Sequence, residues 1–220
     1  MERKIFFRKL FPVMLAAALL LLSLSAAAAE EGGFKEFISA LKAEGTIPAE
    51  PAGTFRSYGD YTEELAQMHA GTGIPLLRSE GFVFSAEIGY SSGSPVPDFA
   101  TAGCGLYFSS RDDAYSYMMT TVRMDGVVHL SGNNSGKYLS FKKYSYGTPN
   151  VEGTRSLSVA RNGSTVSVWL DGEKVITAEN IPGYGDLTGL AVLSGTNADF
   201  GTRCEFRDIR YYTWESAPAE

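Results

Sequence analysis

The chain has 220 residues and a formal net charge of −6, with 25 Asp and Glu against 19 Lys and Arg. This acidic balance argues against a protein that binds nucleic-acid phosphates or anionic lipid surfaces, because both need clustered basic side chains. The two cysteines lie far apart in the sequence, so they do not form the C-x-x-C motif of a redox-active pair.

Residues 1–29 are predicted to be a signal peptide. Four basic residues near the start precede an uncharged, mostly apolar run from Leu10 to Ala29, and the alanines at its end suit an A-x-A cleavage site. An uncleaved membrane anchor is the alternative, since a run of about 20 apolar residues can span a bilayer. The sequence therefore predicts a secreted or extracytoplasmic protein of the cell envelope.

Cleavage would make the protein more acidic. It removes four basic residues and one acidic residue from totals of 19 and 25, which leaves 15 against 24 and a formal charge of −9. About 190 residues then remain, which suits a single sandwich domain with a full core.

Residues 30–79 are predicted to form a helical and irregular segment that packs on the main domain. Its first part has the spacing of a short amphipathic helix, which Gly45 ends. The apolar stripe of this helix consists of Phe34, Phe37, Ile38 and Leu41. Residues 44–55 are rich in Pro, Gly and Ala and are expected to be irregular. Thr62 is the expected cap of one or two further helical turns, which Gly71 ends.

From Gly81 onwards the hydrophobic period becomes two, which predicts β-strands. The clearest signal is a set of three alternating runs joined by Asn162-Gly163 and Asp171-Gly172, because these dipeptides supply the positive φ of two-residue hairpins. About ten to twelve short strands at this spacing predict an all-β, two-sheet antiparallel jelly-roll sandwich over residues 80–214. Residues 215–220 are predicted to be a disordered tail.

Cys104 and Cys204 both fall at positions that alternate with core residues of their strands. Export to an oxidising compartment would permit a disulfide between them, and two buried free thiols are the alternative. Gly103 and Gly105 leave one face of their strand without side chains, which predicts the close approach of a loop or a ligand.

Four stretches of the sequence together resemble the concanavalin A-like lectin/glucanase superfamily. They are residues 82–88, 103–108, 166–175 and 204–209. The subtypes to which they are most similar are laminin-G-like domains and 3-keto-disaccharide hydrolase domains, and the resemblance covers residues 80–213. It implies two curved antiparallel sheets whose concave face or rim loops meet glycans or proteins, and it does not fix an activity.

No catalytic motif accompanies this resemblance. The E-x-D-x-x-E strand of the retaining glucanases is absent, so Glu87, Glu205 and Asp208 are only the first candidates for a glycan- or disaccharide-acting hydrolase. The two histidines have no metal-binding spacing, so no zinc site is predicted.

No cofactor is predicted, and calcium is left as an alternative. It could bind oxygen ligands from loop residues, because hard cations prefer carboxylate and carbonyl oxygens. The candidate calcium ligands are Asp98, Asp112, Asp113, Asn197 and Asp199.

Outward-facing aromatic residues give the best indication of function. Strand parity places Trp169 away from the core, and it places Tyr115 and Tyr117 on the same face as Arg123. A flat ring beside a charged group is a plausible sugar receptor, although the same rings could simply cover a sheet face. The candidate ligand-binding residues are Trp169, Tyr117, Tyr115, Arg123 and Glu87.

The leading hypothesis is therefore an exported, non-catalytic module that binds carbohydrate or a cell-surface protein through an aromatic-bearing sheet face. A hydrolase of the same fold is the first alternative. A structural envelope or adhesion module without a small-ligand site is the second. No nucleic-acid partner is expected, and a membrane is expected only if residues 1–29 are not cleaved.

Overall fold

The computed structural model describes residues 32–50, 52–111 and 115–215. It divides the chain into two compact units, Met1–Ala43 and Glu44–Glu220. In the first unit, residues 32–43 form helix α1, which confirms the predicted helix. Within the described ranges no helix has the length and apolar character needed to cross a membrane. The predicted signal peptide and most of the predicted tail lie outside the described residues.

The second unit is built from strands. In chain order they are β1 (Thr54–Tyr58), β2 (Tyr61–Leu65), β3 (Ala70–Arg78), β4 (Gly81–Ser92), β5 (Gly103–Ser110), β6 (Ser116–Arg123), β7 (Val127–Asn134), β8 (Lys137–Ser145), β9 (Glu152–Asn162), β10 (Thr165–Leu170), β11 (Glu173–Ala178), β12 (Leu187–Ser194) and β13 (Thr202–Trp214). They form two antiparallel sheets, so the predicted all-β sandwich with a short N-terminal helix is confirmed.

The two sheets differ in the number and order of their strands. The seven-stranded sheet has the order β1-β13-β4-β9-β10-β11, and β2 pairs with the other half of β13. The six-stranded sheet has the order β3-β12-β5-β6-β7-β8. These orders combine hairpins of consecutive strands, such as β9-β10, with pairs of strands distant in sequence, such as β13-β4 and β12-β5, which is the connectivity expected of a jelly roll.

The core lies between the inward faces of the two sheets, as the alternating pattern predicted. The predicted inward residues of β4 are Phe82, Phe84, Ala86 and Ile88, and each is at most 2% exposed. Cys104 of the six-stranded sheet and Cys204 of the seven-stranded sheet form a disulfide, with Cα atoms 5.7 Å apart, which confirms the predicted pairing. A crosslink that closes a loop of about 100 residues stabilises the fold by roughly 4 kcal/mol in the chain-entropy model.

The predicted hairpins are present between β9 and β11. Asp171 and Gly172 have φ of 51° and 84°, as a two-residue turn with two positive φ angles requires. In the first hairpin Asn162 pairs with Thr165, so the central residues are Gly163 and Ser164 rather than Asn162 and Gly163. Only Gly163 has a positive φ there, 58°, which fits a turn with glycine at the first central position.

The prediction of helical turns over residues 62–70 is wrong. Residues 61–65 form β2, which pairs with the first half of β13, and β3 pairs with β12 along its whole length. Residues 54–78 therefore supply strands to both sheets. Helix propensity is a weak preference, and here the unpaired backbone of β13 and β12 offers these residues hydrogen-bond partners that an isolated helical turn lacks.

Residues preceding β1 contact the seven-stranded sheet at three points. Near β11, Lys174 Nζ lies 3.5 Å from Glu44 Oε2, and at the β9–β10 turn Asn162 Nδ2 donates to the Thr46 carbonyl at 3.3 Å. At β13, Gly53 N–H donates to Tyr212 Oη at 2.8 Å. The chain itself thus covers part of this sheet.

Candidate ligand-binding site

The outer face of the six-stranded sheet carries a pocket of about 300 Å³. Its lining comes from β3, β12, β5 and β6, which are neighbours in this sheet. Residues that define its floor and walls are Gly73, Pro75, Ala191, Tyr107, Tyr117 and Met119.

The pocket exists because small residues on two strands face large residues on the next two. Gly73 of β3 pairs with Ala191 of β12, so this part of the floor carries almost no side chain. The Tyr107 ring leans over it, since a Cβ placed on Gly73 would lie 2.8 Å from Tyr107 Cε1. Glycine at position 73 is therefore a requirement of the pocket's shape.

Two tyrosines form the walls on β5 and β6. Burial raises the pKa of Tyr107 to about 12, and burial, followed by the charge of Tyr138, also raises the pKa of Tyr117. Both phenols therefore stay protonated at neutral pH and can donate a hydrogen bond as well as accept one. Their rings offer a flat apolar surface to a ligand in the same pocket.

The same sheet carries a group of polar side chains on β6, β7 and β8, here termed the polar cluster. Its members are Thr121, Arg123, His129, Ser131, Tyr138 and Ser140. Strand register holds it together: Thr121 lies opposite His129, and Ser131 lies opposite Ser140. Because side chains alternate along β6, Tyr117 and Met119 of the pocket share this outer face with Thr121 and Arg123.

His129 is the centre of the polar cluster. Arg123 Nη1 lies 2.7 Å from His129 Nδ1, and since a guanidinium only donates, Nδ1 accepts this hydrogen bond. The other ring nitrogen, Nε2, therefore carries the proton and donates to Ser140 Oγ at 2.9 Å. Burial, together with the charges of Arg123 and Lys143, lowers the pKa of His129 to about 4, so the ring is neutral at neutral pH.

Two hydroxyl groups of the polar cluster lack a partner. Thr121 Oγ1 and Ser131 Oγ are buried and have no hydrogen bond to any described residue. A buried polar group without a partner costs about 1–3 kcal/mol, so such groups are rare unless water or a ligand satisfies them. Both residues are only 1% exposed, so these hydroxyls lie beneath the outer face rather than on its accessible surface.

The structure separates the five predicted ligand-binding residues. Tyr117 and Arg123 lie in the site just described, and Tyr115 precedes β6 with 71% of its surface exposed. Trp169 and Glu87 lie on the seven-stranded sheet instead. Trp169 is only 5% exposed, with Lys174 Nζ 5.1 Å from the ring centroid, so it offers little surface to a ligand.

Tyr107, His129 and Tyr138 are among the residues of this site that the sequence did not single out. One signal could have found His129. The turn dipeptide Asp125-Gly126 marks a hairpin between β6 and β7, and a three-residue loop, Met124 to Gly126, places His129 opposite Thr121. Tyr107 is placed at the site by the pairing of β5 with β6, and Tyr138 by the irregular pairing of β7 with β8. Strand parity alone does not predict either pairing.

Gly103 and Gly105 have a structural explanation. A Cβ on Gly105 would lie 2.0 Å from the Thr120 carbonyl oxygen, and one on Gly103 would lie 2.6 Å from that of Val122. The close neighbour is therefore the backbone of β6, and neither the expected loop nor a ligand is needed to explain these glycines.

The carboxylates considered for catalysis lie on the seven-stranded sheet. A bulge in β13 between Arg207 and Arg210 places Glu205 and Asp208 on the same side despite their spacing of three. Arg207 pairs with both Glu205 and Glu87, at 2.5 and 3.4 Å. Asp208 pairs with Arg210 at 2.5 Å, so all three carboxylates are engaged by arginines.

The calcium alternative receives no further support from the described residues. They contain no group of three or more His, Cys, Asp or Glu side chains placed to hold a metal ion. Asp98 Oδ2 instead lies 3.1 Å from His69 Nε2. Asp112 and Asp113 lie outside the described residues, so calcium binding there stays a prediction.

No protein-family model and no curated protein matches this sequence. Solved structures do match its fold. CBM66, a carbohydrate-binding module from Bacillus subtilis, superposes with a TM-score of 0.54 at 17% identity, over 71% of this chain and 94% of that one. A structure of A. japonicus CB05 gives 0.51 at 11% identity, over 76% and 28%.

The GH43 protein BlXynB from Bacillus licheniformis gives a TM-score of 0.50 at 12% identity, over 76% of this chain and 34% of that one. This chain thus spans about a third or less of the CB05 and BlXynB chains but nearly all of CBM66. These likenesses concern the fold. They agree with the two-sheet antiparallel sandwich that the sequence predicted.

Proposed function

We propose that this chain is an exported, non-catalytic module that binds carbohydrate on the outer face of its six-stranded sheet. One observation carries the proposal: a pocket walled by Tyr107 and Tyr117 lies on the same sheet face as the polar cluster, in which Thr121 and Ser131 have buried hydroxyls without described partners. A pocket with a few convergent polar groups is the usual form of a small-molecule site.

A sugar matches both parts of this surface. The C–H face of a pyranose or furanose ring is apolar and flat enough to lie against Tyr107 or Tyr117. Its hydroxyl groups both donate and accept hydrogen bonds, so they can bind an accessible polar group of the cluster such as the phenol of Tyr138, which is 55% exposed. The pocket volume of about 300 Å³ lies at the lower end of the range of small-ligand sites.

Two further observations support the proposal. CBM66, which is named as a carbohydrate-binding module, is similar in fold to this chain over 94% of the CBM66 chain. The Cys104–Cys204 disulfide suits an oxidising compartment outside the cytoplasm, as does the predicted signal peptide.

The test is a broad glycan array probed with residues 30–220, with and without calcium, followed by titration of any glycan that binds. We expect Tyr117→Ala to weaken binding about tenfold. The lost contact between the ring and the sugar is worth roughly 1.4 kcal/mol, which corresponds to a factor of ten in affinity. Tyr61→Ala is the matched control, because Tyr61 is a partly exposed tyrosine on β2 of the other sheet.

Each outcome decides between hypotheses. Binding that is lost with Tyr117→Ala and kept with Tyr61→Ala supports the proposed face. Equal loss in both variants, or no glycan bound at all, would count against it and favour a protein partner or a structural role. Hydrolysis of an array glycan would replace the non-catalytic assignment with the enzyme hypothesis.

A further inference from the structure

The charge of Arg123 is poorly compensated by the protein. Its side chain keeps 11% of its surface exposed, and its Nη1 atom binds His129, which is neutral. The carboxylate nearest to it is that of Asp125, at 3.9 Å from Arg123 Nε to Oδ2, which is beyond hydrogen-bonding distance. Arg123 Nε itself is buried and has no hydrogen-bond partner among the described residues.

Asp125 is a weak counter-ion for a second reason. Burial is the largest influence on its carboxyl group and raises its pKa, although Arg123 and Lys143 act in the opposite direction. Its Oδ1 atom is buried without a described partner. Lys143 lies opposite His129 on β8 and adds a second positive charge to this surface. The described residues around His129 therefore hold two cations against one partly desolvated carboxylate.

Other arginines of the sandwich show how the chain compensates charge where no ligand is expected. Arg78 and Arg203 each place a nitrogen 2.7 Å from a carboxylate oxygen, and Arg207 approaches Glu205 to 2.5 Å. All three are more exposed than Arg123, so water already screens them. Arg123 is thus more buried than these three and has no carboxylate of a described residue within hydrogen-bonding distance, a condition that it shares with Arg161 of β9.

We propose that the site selects a sugar bearing a carboxylate, such as a uronic acid residue, and that Arg123 binds this carboxylate. The inference rests on the proposed carbohydrate site and names the substrate class of that same surface. An arginine fork matches a carboxylate in shape and charge, and the bond is strong where water is excluded. Tyr138 and the pocket tyrosine Tyr117 are left for the neutral part of the sugar.

The proposal limits the number of charges on the ligand. The chain as a whole carries a formal charge of −6, which repels densely charged polyanions at long range. A densely sulfated chain would therefore be a poor ligand, whereas a single acidic residue within a neutral glycan gains the local contact with Arg123. The expected ligand is an oligosaccharide with isolated uronic acid units.

The experiment compares matched pairs of ligands. Glucuronic-acid-bearing xylo-oligosaccharides and short galacturonides are each offered in the acid form and in the carboxyl-reduced form, and affinities for the purified protein are measured by calorimetry at pH 7. We expect the acid forms to bind about tenfold more tightly, as befits a charge-assisted contact. Arg123→Gln should abolish this preference, so that the acid and reduced forms bind with affinities within about twofold of each other.

A matched variant separates the local contact from a change in net charge. Arg207→Gln removes one positive charge from an exposed position on the seven-stranded sheet and should keep the preference for the acid forms. Thermal unfolding of both variants verifies that they fold, and Arg123→Lys, which keeps the charge, is the second variant if Arg123→Gln is unfolded. Lys should retain part of the preference.

The outcomes are distinguishable. Equal binding of acid and reduced forms would overturn the carboxylate inference and leave the proposed carbohydrate site standing. A preference that survives Arg123→Gln would place the carboxylate elsewhere and also overturn it. Binding of neither form would count against the carbohydrate site itself.

Discussion

The outer faces of the two sheets use polar side chains in opposite ways. On the seven-stranded sheet the charged groups pair with one another, as Arg207 does with Glu205, and residues near 44–46 and 53 contact the surface. On the six-stranded sheet the chain leaves a pocket open and leaves the hydroxyls of Thr121 and Ser131 buried without described partners. The difference teaches that polar groups on the first face are satisfied by the chain itself, whereas some on the second face are not.

The largest effect is expected from closing the pocket. Gly73→Ala places a Cβ 2.8 Å from the Tyr107 ring, so the ring must move across the floor of the pocket. We expect glycan binding to fall by about tenfold or more, with a stability loss of no more than about 1–3 kcal/mol. Titration calorimetry and chemical denaturation measure the two effects separately.

Gly147→Ala is the control for this substitution, because a Cβ at Gly147 would meet nothing within 4 Å. It should leave both binding and stability nearly unchanged. Unchanged binding in Gly73→Ala would show that the pocket on β3 and β12 is not where the ligand lies.

A middle-sized effect is expected from pH, and it reports on the desolvation of the polar cluster. The pKa of His129 is lowered from 6.5 to about 4 in the folded protein. The unfolded chain therefore binds more protons between these values, and the free energy of unfolding should fall as pH drops from 6.5 towards 4. Melting temperature measured across this range should show that slope, and His129→Gln should flatten it.

Asp125 is the main complication in that measurement, because its raised pKa brings its own titration closer to the same range. Its sign is opposite: a carboxyl group with a raised pKa gains stability relative to the unfolded chain as pH falls. If melting temperature changes with pH equally in the wild type and in His129→Gln, groups other than His129 cause the pH dependence.

The smallest effect sharpens the comparison most directly, because the same substitution is made on both faces. Ser158 Oγ on the seven-stranded sheet donates to Ser85 Oγ at 3.0 Å, so Ser158→Ala should destabilise the protein by about 1 kcal/mol. Ser131→Ala removes a buried hydroxyl without a partner and should be neutral or slightly stabilising. Chemical denaturation resolves this difference.

A stability loss in Ser131→Ala as large as that in Ser158→Ala would mean that Ser131 already has a partner, such as an ordered water molecule. The contrast between the two faces would then be smaller than the protein atoms alone indicate.

Much of the fold could be predicted because it depends on local patterns. Alternation identified the core face of β4, and Asp171-Gly172 identified a hairpin whose φ angles only such residues adopt readily. The cysteine pairing followed from core parity and was also correct. Each of these inferences needs only the neighbours of a residue along one strand.

The site could be predicted only in part, for the converse reason. Parity shows that Trp169 and Tyr117 both point away from the core, but not that they belong to different sheets. That distinction depends on which strands pair, and pairing between strands distant in sequence is set by the whole sandwich. The strand β2 was missed in the same way, since its only strong signal is its partner β13.

The crosslink between the sheets has a mechanical consequence. Tyr107 of the pocket lies three positions from Cys104 on β5, and Cys104 is bonded to β13, the strand that also holds β1, β2 and β4. A force applied to β5 at the pocket is therefore transmitted through a covalent bond into the opposite sheet. The disulfide resists sliding and separation of the two sheets at this point.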